Sequence, residues 1–227
     1  MKRRIAIIAA LPRELAVLTK GWRADKSLAA KKIILFESDG AVVCCAGMGV
    51  ARGTLAVEAA LSRGPVSRLI SAGWAGACKS GLFAGDVVWA GTVVNAATGE
   101  RYFNPEYKQV VVSVERVAGT AEKQRLAATY GADAVDMEGA TVARLALAHS
   151  LPYGAIKVIS DEAEMDLSLL ADFATMDGQF REAAFALHAA MRPRMWPMVM
   201  KLARNGQLAA KKLAAVLEEE IKQRENE

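Results

Sequence analysis

The chain has 227 residues, of which 53% are hydrophobic, so it is long and apolar enough to bury one sizeable core, and a single α/β domain is expected. Its formal charge of +4 is modest and the basic residues are spread along the chain except near the C-terminus, which does not require nucleic acid as a partner. Three cysteines without CxxC or metal-ligand spacing predict small core residues in a reducing cytoplasm, and no segment has the apolar length of a membrane span.

The apolar run IAIIAA at residues 5–10 predicts a central strand that is covered on both faces. Pro12 follows this run and suits the first turn of a helix that extends through Leu18. The basic start and the apolar run resemble a signal peptide, but the run is very short and lacks a small-residue cleavage site. Glu14 lies at the strand-to-helix turn, where it is either a surface acid of the first helical turn or part of a site.

Two apolar runs at residues 32–37 and 41–46 are separated by Ser-Asp-Gly, which predicts a β-hairpin. The second run enters the segment GMGVARG, in which Gly47 and Gly49 allow close approach of the backbone to a ligand. Arg52 stands where a dinucleotide fingerprint requires its third glycine, so a Rossmann cofactor site is excluded.

Further strands are predicted at residues 68–72, 82–94, 109–114, 132–137 and 153–160. A helix is predicted at residues 121–130, with Lys123 and Arg125 exposed. Trp74 follows one of the strands and is either a core aromatic residue or the apolar wall of a pocket. His149 and His188 are the only histidines, and neither has a partner at the spacing of a metal site or a triad, so no metal is predicted.

Carboxylates end two of these strands. Asp136 and Glu138 follow the run that begins at Ala132, and Gly139 then opens a helix. Asp161 directly follows the strand predicted at residues 153–160. Such acids either begin a helix or line a ligand site, because open α/β sheets bind ligands at the carboxyl ends of their strands. The local pattern leaves both interpretations open.

The segment VDMEGATVA at residues 135–143 resembles the signature of the nucleoside phosphorylase and nucleosidase superfamily, especially the methylthioadenosine/S-adenosylhomocysteine nucleosidases. The segments IAIIAALPRE, GDVV and VISD support the resemblance, which covers about residues 4–190. It implies a three-layer α/β/α fold with a central twisted mixed sheet, of the phosphorylase/hydrolase-like type. It also implies cleavage of the N-glycosidic bond of a 5′-substituted adenosine, with release of adenine and no cofactor.

The resemblance also implies roles for individual residues. Glu14 takes the position of the acid that activates water, and Asp161 that of the acid that protonates the purine, oriented by Ser160. Met137 packs on the ribose, and Glu138 accepts hydrogen bonds from its hydroxyl groups. Further pocket positions are Gly47, Gly49, Trp74, Val117 and Lys157. Two of these depart from the family, because Trp74 replaces a hydroxyl residue and Lys157 replaces an arginine.

Three functions remain open at this stage: hydrolysis, phosphorolysis with phosphate as co-substrate, and catalytically silent binding of a nucleoside or lipid. Phosphorolysis requires basic and hydroxyl groups around GMGVAR, where Arg52 alone is basic. Hydrolysis is favoured because Glu14 takes the position of the water-activating acid.

Residues 191–227 extend past the family pattern and are predicted as helices packed on the domain formed by residues 1–190, with a break at residues 205–206 and a helix at 208–223. Trp196, with neighbouring methionines and basic residues, suits either a membrane surface or a greasy substrate mouth, whereas core packing or a dimer contact is the alternative. This tail resembles the hopanoid-associated phosphorylase branch, whose members are thought to remove adenine from adenosylhopane. The resemblance further implies a homodimer, whereas the cytoplasmic location is expected from the cysteines, and peripheral membrane contact through residues 191–223 stays open.

Overall fold

The computed structural model describes residues 4–175 and 177–225, so the outer ends of the predicted ranges 1–190 and 191–227 lie outside the described residues. The strands are β1 (Arg4–Ala9), β2 (Arg23–Asp25), β3 (Ile34–Glu37), β4 (Ala41–Cys45), β5 (Val66–Ala77), β6 (Val87–Asn95), β7 (Arg101–Phe103), β8 (Gln109–Ser113), β9 (Ala134–Asp136) and β10 (Tyr153–Asp161). The helices are α1 (Val50–Leu61), α2 (Thr120–Tyr130), α3 (Gly139–Ala148), α4 (Glu182–Ala190) and α5 (Trp196–Glu225).

These strands form one mixed sheet that is built around β5. This strand pairs in parallel with β1 and β10 and, through its last residues, antiparallel with β9. Because β10 also pairs with β6, the strands β5, β9, β8, β6 and β10 close into a ring, and β1, β4, β3 and β2 extend the sheet from β5. The predicted hairpin is confirmed, since β3 pairs antiparallel with β4.

The alternation of side chains along β1 separates two layers of core. Ala6 and Ile8 pack in the cluster that contains residues of α1 and α3, whereas Ile5 and Ile7 pack in the cluster that contains residues of α5. Helices therefore cover both faces of this part of the sheet, and the expected α/β/α layering is confirmed. The predicted additional C-terminal helix is present as α5.

The segment after β1 differs from the prediction. Only residues Pro12–Glu14 form a short 3-10 turn, and the chain continues in turns rather than in an α-helix. The hydroxyl group of Thr19 donates a hydrogen bond to the carbonyl oxygen of Leu15. Side-chain-to-backbone bonds of this kind compete with the hydrogen bonds of a regular helix. Glu14 is consequently held by a tight turn.

The predicted break at residues 205–206 is wrong, because α5 runs through it without interruption. Asn205 Nδ2 donates a hydrogen bond to the carbonyl oxygen of Ser160, and Gly206 lies against the indole ring of Trp74. A Cβ atom on Gly206 would lie 2.9 Å from Trp74 Cη2. The presence of Asn and Gly at positions 205 and 206 is therefore explained by their contacts with β5 and β10, and not by the end of a helix. Among the described residues, no helix is long and apolar enough to cross a membrane.

Candidate active site

A cavity of about 150 Å³ lies beside the carboxyl-terminal half of β5. Gly76 of β5 pairs with Asp161 of β10 on one side and with Val135 of β9 on the other, so the acids that end these two strands flank one strand. The charged side chains that line the cavity are Arg13, Glu14, Arg116, Lys123, Asp136, Glu138 and Asp161.

Glu14 reaches the cavity from the 3-10 turn that follows β1. Gly73 of β5 makes room for it, since a Cβ atom at Gly73 would lie 3.0 Å from Glu14 Oε2, and its φ of +153° favours glycine. Burial raises the pKa of Glu14 from 4.5 to about 7, although Lys157 and the backbone N–H of Leu11 act in the opposite direction. The group is thereby suited to take up a proton near neutral pH.

Asp136 and Lys157 form a buried ion pair, with Nζ 2.7 Å from Asp136 Oδ2. Asp136 Oδ1 accepts a hydrogen bond from Ser113 Oγ at 2.5 Å, and Oδ2 accepts one from the N–H of Gly139 at 2.8 Å. Lys157 Nζ also donates to Ser71 Oγ at 2.8 Å. Burial alone lowers the pKa of Lys157, but Asp136 and the neighbouring carboxylates outweigh it and raise the pKa.

Glu138 precedes α3 and accepts a hydrogen bond from the backbone N–H of Gly49 at 2.7 Å. Burial and the negative charge of Asp136 raise the pKa of Glu138 to about 8, while Lys157 and the Gly49 N–H lower it. Its pKa is raised by Glu14 as well, so Lys157 is shared among three carboxyl groups. The three carboxyl groups around Lys157 therefore carry more negative charge than this one ammonium group can neutralise.

Asp161 is the last residue of β10 and is held at both oxygens. Ser160 Oγ donates to Oδ1 at 2.7 Å, and Lys123 Nζ donates to Oδ2 at 2.5 Å. The predicted exposure of Lys123 is wrong, because this side chain is 1% exposed. Helix α2 turns Lys123 and Leu126 towards the protein, three residues apart on the buried face, and Arg125 remains on the outside.

The remaining predicted site residues fall into three groups. Trp74, Val117, Met137 and Ser160 line the cavity together with the acids. Gly49 lines an adjoining groove of about 1010 Å³, which shares Met48, Arg116, Val117 and Met137 with the cavity. Gly47 and Lys157 lie outside the residues that line either space, since Gly47 is covered by Gln179 and Lys157 is buried behind Asp136.

Trp74 forms the wall between the cavity and α5. The guanidinium carbon of Arg13 lies 5.5 Å from its ring centroid and 5.3 Å from that of Phe180, and Arg13 Nη1 is 2.8 Å from Glu182 Oε1. This cation–π stack joins the turn that carries Glu14 to the segment before α4. Trp74 Nε1 is buried and has no hydrogen-bond partner among the described residues.

Sequence reasoning missed Lys123 and Arg13 as cavity residues. The signal for Lys123 was its position three residues before Leu126, the only large aliphatic residue of α2, because residues three apart share a helix face. No local signal identified Arg13, whose aromatic partners are 61 and 167 positions away in the chain. Within residues 4–175 and 177–225, no group of three or more His, Cys, Asp or Glu side chains is placed to hold a metal ion.

A sequence profile described as the phosphorylase superfamily matches residues 4–118 and 109–191. The chain belongs to the phosphorylase superfamily. This membership assigns it to a family of enzymes, as the sequence predicted, and the matched region carries every acid described above. Comparison with curated protein sequences gives no significant match.

Solved structures of the same fold include several nucleosidases. The apo structure of 5′-methylthioadenosine nucleosidase from Arabidopsis thaliana has a TM-score of 0.72 and 16% identity, covering 98% of this chain and 96% of that one. The Neisseria meningitidis 5′-methylthioadenosine/S-adenosylhomocysteine nucleosidase, in complex with methylthio-immucillin-A, has a TM-score of 0.69, 18% identity and coverages of 94% and 96%. Futalosine hydrolase from Helicobacter pylori has a TM-score of 0.67, 19% identity and coverages of 96% and 99%. These likenesses establish that this superfamily member has the nucleosidase fold.

Proposed function

We propose that the protein hydrolyses the N-glycosidic bond of a 5′-substituted adenosine and releases adenine. The observation that carries this proposal is the convergence of Glu14, Glu138 and Asp161 on one small cavity, although they lie up to 147 positions apart in the chain. The family membership supports an N-glycosidase, and structural neighbours include nucleosidases named for methylthioadenosine.

Each acid has a distinct task in this reaction. The base leaves as a neutral molecule if Asp161, oriented by Ser160, supplies a proton to its imidazole ring. Glu138 accepts hydrogen bonds from the ribose hydroxyl groups, which favour its charged form and strengthen as positive charge develops on the sugar. Glu14 takes a proton from the attacking water, and Met137 packs on the ribose. Each positioned proton transfer typically accelerates such a reaction by about 10²–10⁴-fold.

Phosphorolysis is the second candidate, and the contacts of Arg52 disfavour it. Arg52 Nε donates to the carbonyl oxygen of Asp177, Nη1 donates to that of Lys31, and Nη2 pairs with the Asp177 carboxylate. These contacts occupy the guanidinium group that a phosphate ion would need beside Gly49. The same arrangement supports water as the nucleophile and Glu14 as the base.

The 5′ substituent is assigned to the adjoining groove. Ligand pockets usually measure about 300–1,000 Å³, so a cavity of about 150 Å³ holds only part of a nucleoside. The groove continues past Met48, Val117 and Met137 and is open enough for a long chain. The size of the groove supports a long 5′ group. The resemblance to the hopanoid-associated branch supports a hydrophobic or lipid-linked one, such as that of adenosylhopane.

The corner between α4 and α5 supports peripheral contact with a membrane that carries anionic lipids. Its large apolar side chains are 51% to 66% exposed, namely Leu187, Met191, Trp196 and Met200. Arg192, Arg194 and Arg204 are exposed in the same stretch of the chain, so exposed positive charges accompany the exposed apolar residues. Cytoplasmic location and homodimerisation are further proposals, supported by three buried free cysteines and by the family resemblance, respectively.

The proposed function is tested by measuring adenine release from methylthioadenosine and from an adenosine with a long apolar 5′ chain, each with and without phosphate. Release without phosphate from either compound is expected, and the better substrate identifies the 5′ group. Strict dependence on phosphate would establish a phosphorylase and restrict Glu14 to binding. No release from either compound would favour a silent nucleoside- or lipid-binding protein.

Site variants test the residue assignments. Glu14→Gln, Glu138→Gln and Asp161→Asn are each expected to reduce kcat/KM by about 10²-fold or more. The matched control is Glu58→Gln, because Glu58 is an exposed acid of α1. Wild-type rates in all three site variants would overturn the assignment.

A further inference from the structure

Lys123 is a buried ammonium group whose three hydrogen-bond donors are all engaged inside the protein. Nζ donates to Asp161 Oδ2 at 2.5 Å, to the carbonyl oxygen of Glu162 at 2.9 Å and to that of Met165 at 3.0 Å. The side chain is 1% exposed and lines the cavity. Lys123 therefore has no donor left for a ligand, and it can act on a ligand only through Asp161.

Strand β5 leaves space for the ion pair of Lys123 and Asp161. A Cβ atom on Gly76 would lie 2.8 Å from Asp161 Oδ2 and 2.9 Å from Lys123 Cε, so β5 needs glycine beside the two charges. Cys78, directly after β5, and Asp166, in the loop after β10, interact electrostatically with Lys123. The other charged groups that line the same cavity are Arg13, Glu14, Arg116, Asp136 and Glu138. Burial raises the pKa of Cys78 to about 12, so this thiol stays neutral over the range in which enzymes are assayed.

We propose that Lys123 is a positioning residue that makes the Lys123–Asp161 pair, rather than Asp161 alone, the proton source for the leaving base. This inference rests on the proposed function. The bond between the anomeric carbon and the base nitrogen breaks, and its electron pair goes to the base. Asp161 Oδ2 takes a proton from Lys123 Nζ and passes a proton on to a ring nitrogen of the base, so Asp161 ends as the carboxylate that it was in the ion pair. Lys123 is left as a neutral amine, which regains a proton from water that enters the cavity.

The pair extends the pH range over which a proton can be supplied. A lone carboxyl group has no proton to give once it is ionised, whereas the pair keeps a transferable proton as long as the lysine is an ammonium ion. The wild-type enzyme is therefore expected to hold its kcat well into alkaline solution. Loss of a cation beside a carboxyl group moves the titration of that group to higher pH, so a lysine that served only as a brace would leave the alkaline fall in place or move it later, not earlier.

The test compares kcat and KM for adenine release between pH 5 and pH 10 in wild type, Lys123→Met and Lys123→Arg. In Lys123→Met we expect kcat to fall by about 100-fold at pH 8, KM to change by less than about threefold, and the alkaline fall in kcat to begin at least about one pH unit earlier. Lys123→Arg is expected to behave in the same way, because a guanidinium group keeps the charge but does not release its proton. If Lys123→Met does not fold, Lys123→Gln replaces it.

Lys79→Met is the matched control, since Lys79 also pairs with an aspartate, Asp133, at 2.7 Å but is 47% exposed and lies outside the cavity. Its pH profile should match that of wild type. A Lys123→Met profile that keeps the wild-type shape while kcat falls uniformly, or full activity in Lys123→Arg, would overturn the inference and leave the proposed function standing. Absence of adenine release from wild type would overturn both.

Discussion

Glu14 and Glu138 are acids that the protein buries with too little positive charge to compensate them. In the folded protein burial raises the pKa of Glu14 to about 7 and that of Glu138 to about 8, from 4.5 in both cases. The folded state therefore holds these protons more tightly than the unfolded chain does. The two protonated carboxyl groups therefore make their full contribution to the free energy of unfolding below pH 4.5, and this contribution is lost as the pH rises through 7 to 8.

Glu14→Gln is accordingly expected to stabilise the protein in alkaline solution while it removes activity. At pH 8.5 the gain in the free energy of unfolding should approach about 3 kcal/mol, because one unit of pKa shift corresponds to about 1.36 kcal/mol, and it should vanish at pH 4. Thermal unfolding at both pH values measures it, and Glu58→Gln, at an exposed position of α1, should change stability by less than about 0.5 kcal/mol. An equal effect of Glu14→Gln at the two pH values would contradict the linkage.

The same pKa shift predicts the pH dependence of the reaction. If Glu14 is the general base, kcat/KM should rise as the pH increases through about 7, where Glu14 becomes ionised. A profile of kcat/KM against pH in the wild-type enzyme measures this limb. A flat profile between pH 5 and pH 8 would show that the ionisation of Glu14 is not required.

Lys157→Met is expected to destabilise the protein by about 3–5 kcal/mol, because it leaves the buried carboxylate of Asp136 without its partner 2.7 Å away. The control Lys32→Met removes an ion pair of similar length, 2.8 Å, whose lysine is 53% exposed. It should cost less than about 1 kcal/mol. Urea unfolding of both variants at pH 7 measures the difference, and equal losses would show that burial of the Lys157 pair is not decisive.

At the scale of elements, α5 and β5 approach each other closely at one point. Replacement of glycine by alanine inside a helix normally stabilises it by about 1 kcal/mol. At Gly206 the added methyl group would meet the benzo ring of Trp74 at 2.9 Å, so Gly206→Ala should instead destabilise the protein by about 1–3 kcal/mol.

The double variant Gly206→Ala with Trp74→Phe isolates this contact. The Trp74 atoms nearest to the added methyl group are the outer atoms of the fused six-membered ring of the indole, and the shorter phenylalanine side chain has no atoms that reach as far. In the Trp74→Phe background the alanine should therefore be neutral or stabilising, and thermal unfolding of the four proteins in the cycle measures the coupling. Additive effects would place the strain elsewhere.

At the scale of the whole molecule, the corner between α4 and α5 presents apolar and basic side chains together. We expect the protein to sediment with vesicles that contain phosphatidylglycerol, and to bind neutral vesicles more weakly. High salt should weaken its binding to the anionic vesicles. Trp196→Glu and Met200→Glu should abolish the binding.

Phe103→Glu provides the control for this surface. Phe103 is 67% exposed, like the apolar residues of the corner, but it belongs to β7, which contacts α3, and α3 packs on the opposite face of the sheet from α5. This variant should sediment like wild type. Binding that is equally sensitive to Phe103→Glu would indicate nonspecific adhesion.

The sequence by itself determined the elements that carry the acids. Period-two alternation and continuous apolar runs located β1, β3, β4, β9 and β10. The family resemblance of the segments that follow, and not the local pattern, singled out Glu14, Glu138 and Asp161. The adjacent residues Cys44 and Cys45 of β4 pack in different layers of the core, as the alternation of side chains along a strand requires. These features are local, since they depend on residues a few positions apart.

Tertiary structure decided which charges meet. The pairing of Lys123 with Asp161 joins residues 38 positions apart, and it requires β5 to lie between β9 and β10 with glycine at position 76. The continuity of α5 through residues 205–206 likewise depends on the Trp74 ring and on the carbonyl oxygen of Ser160. Sequence patterns a few residues long predict that a lysine is exposed and that Asn-Gly ends a helix. They do so because the aspartate that compensates the buried Lys123 and the indole ring that packs against Gly206 lie far away in the sequence.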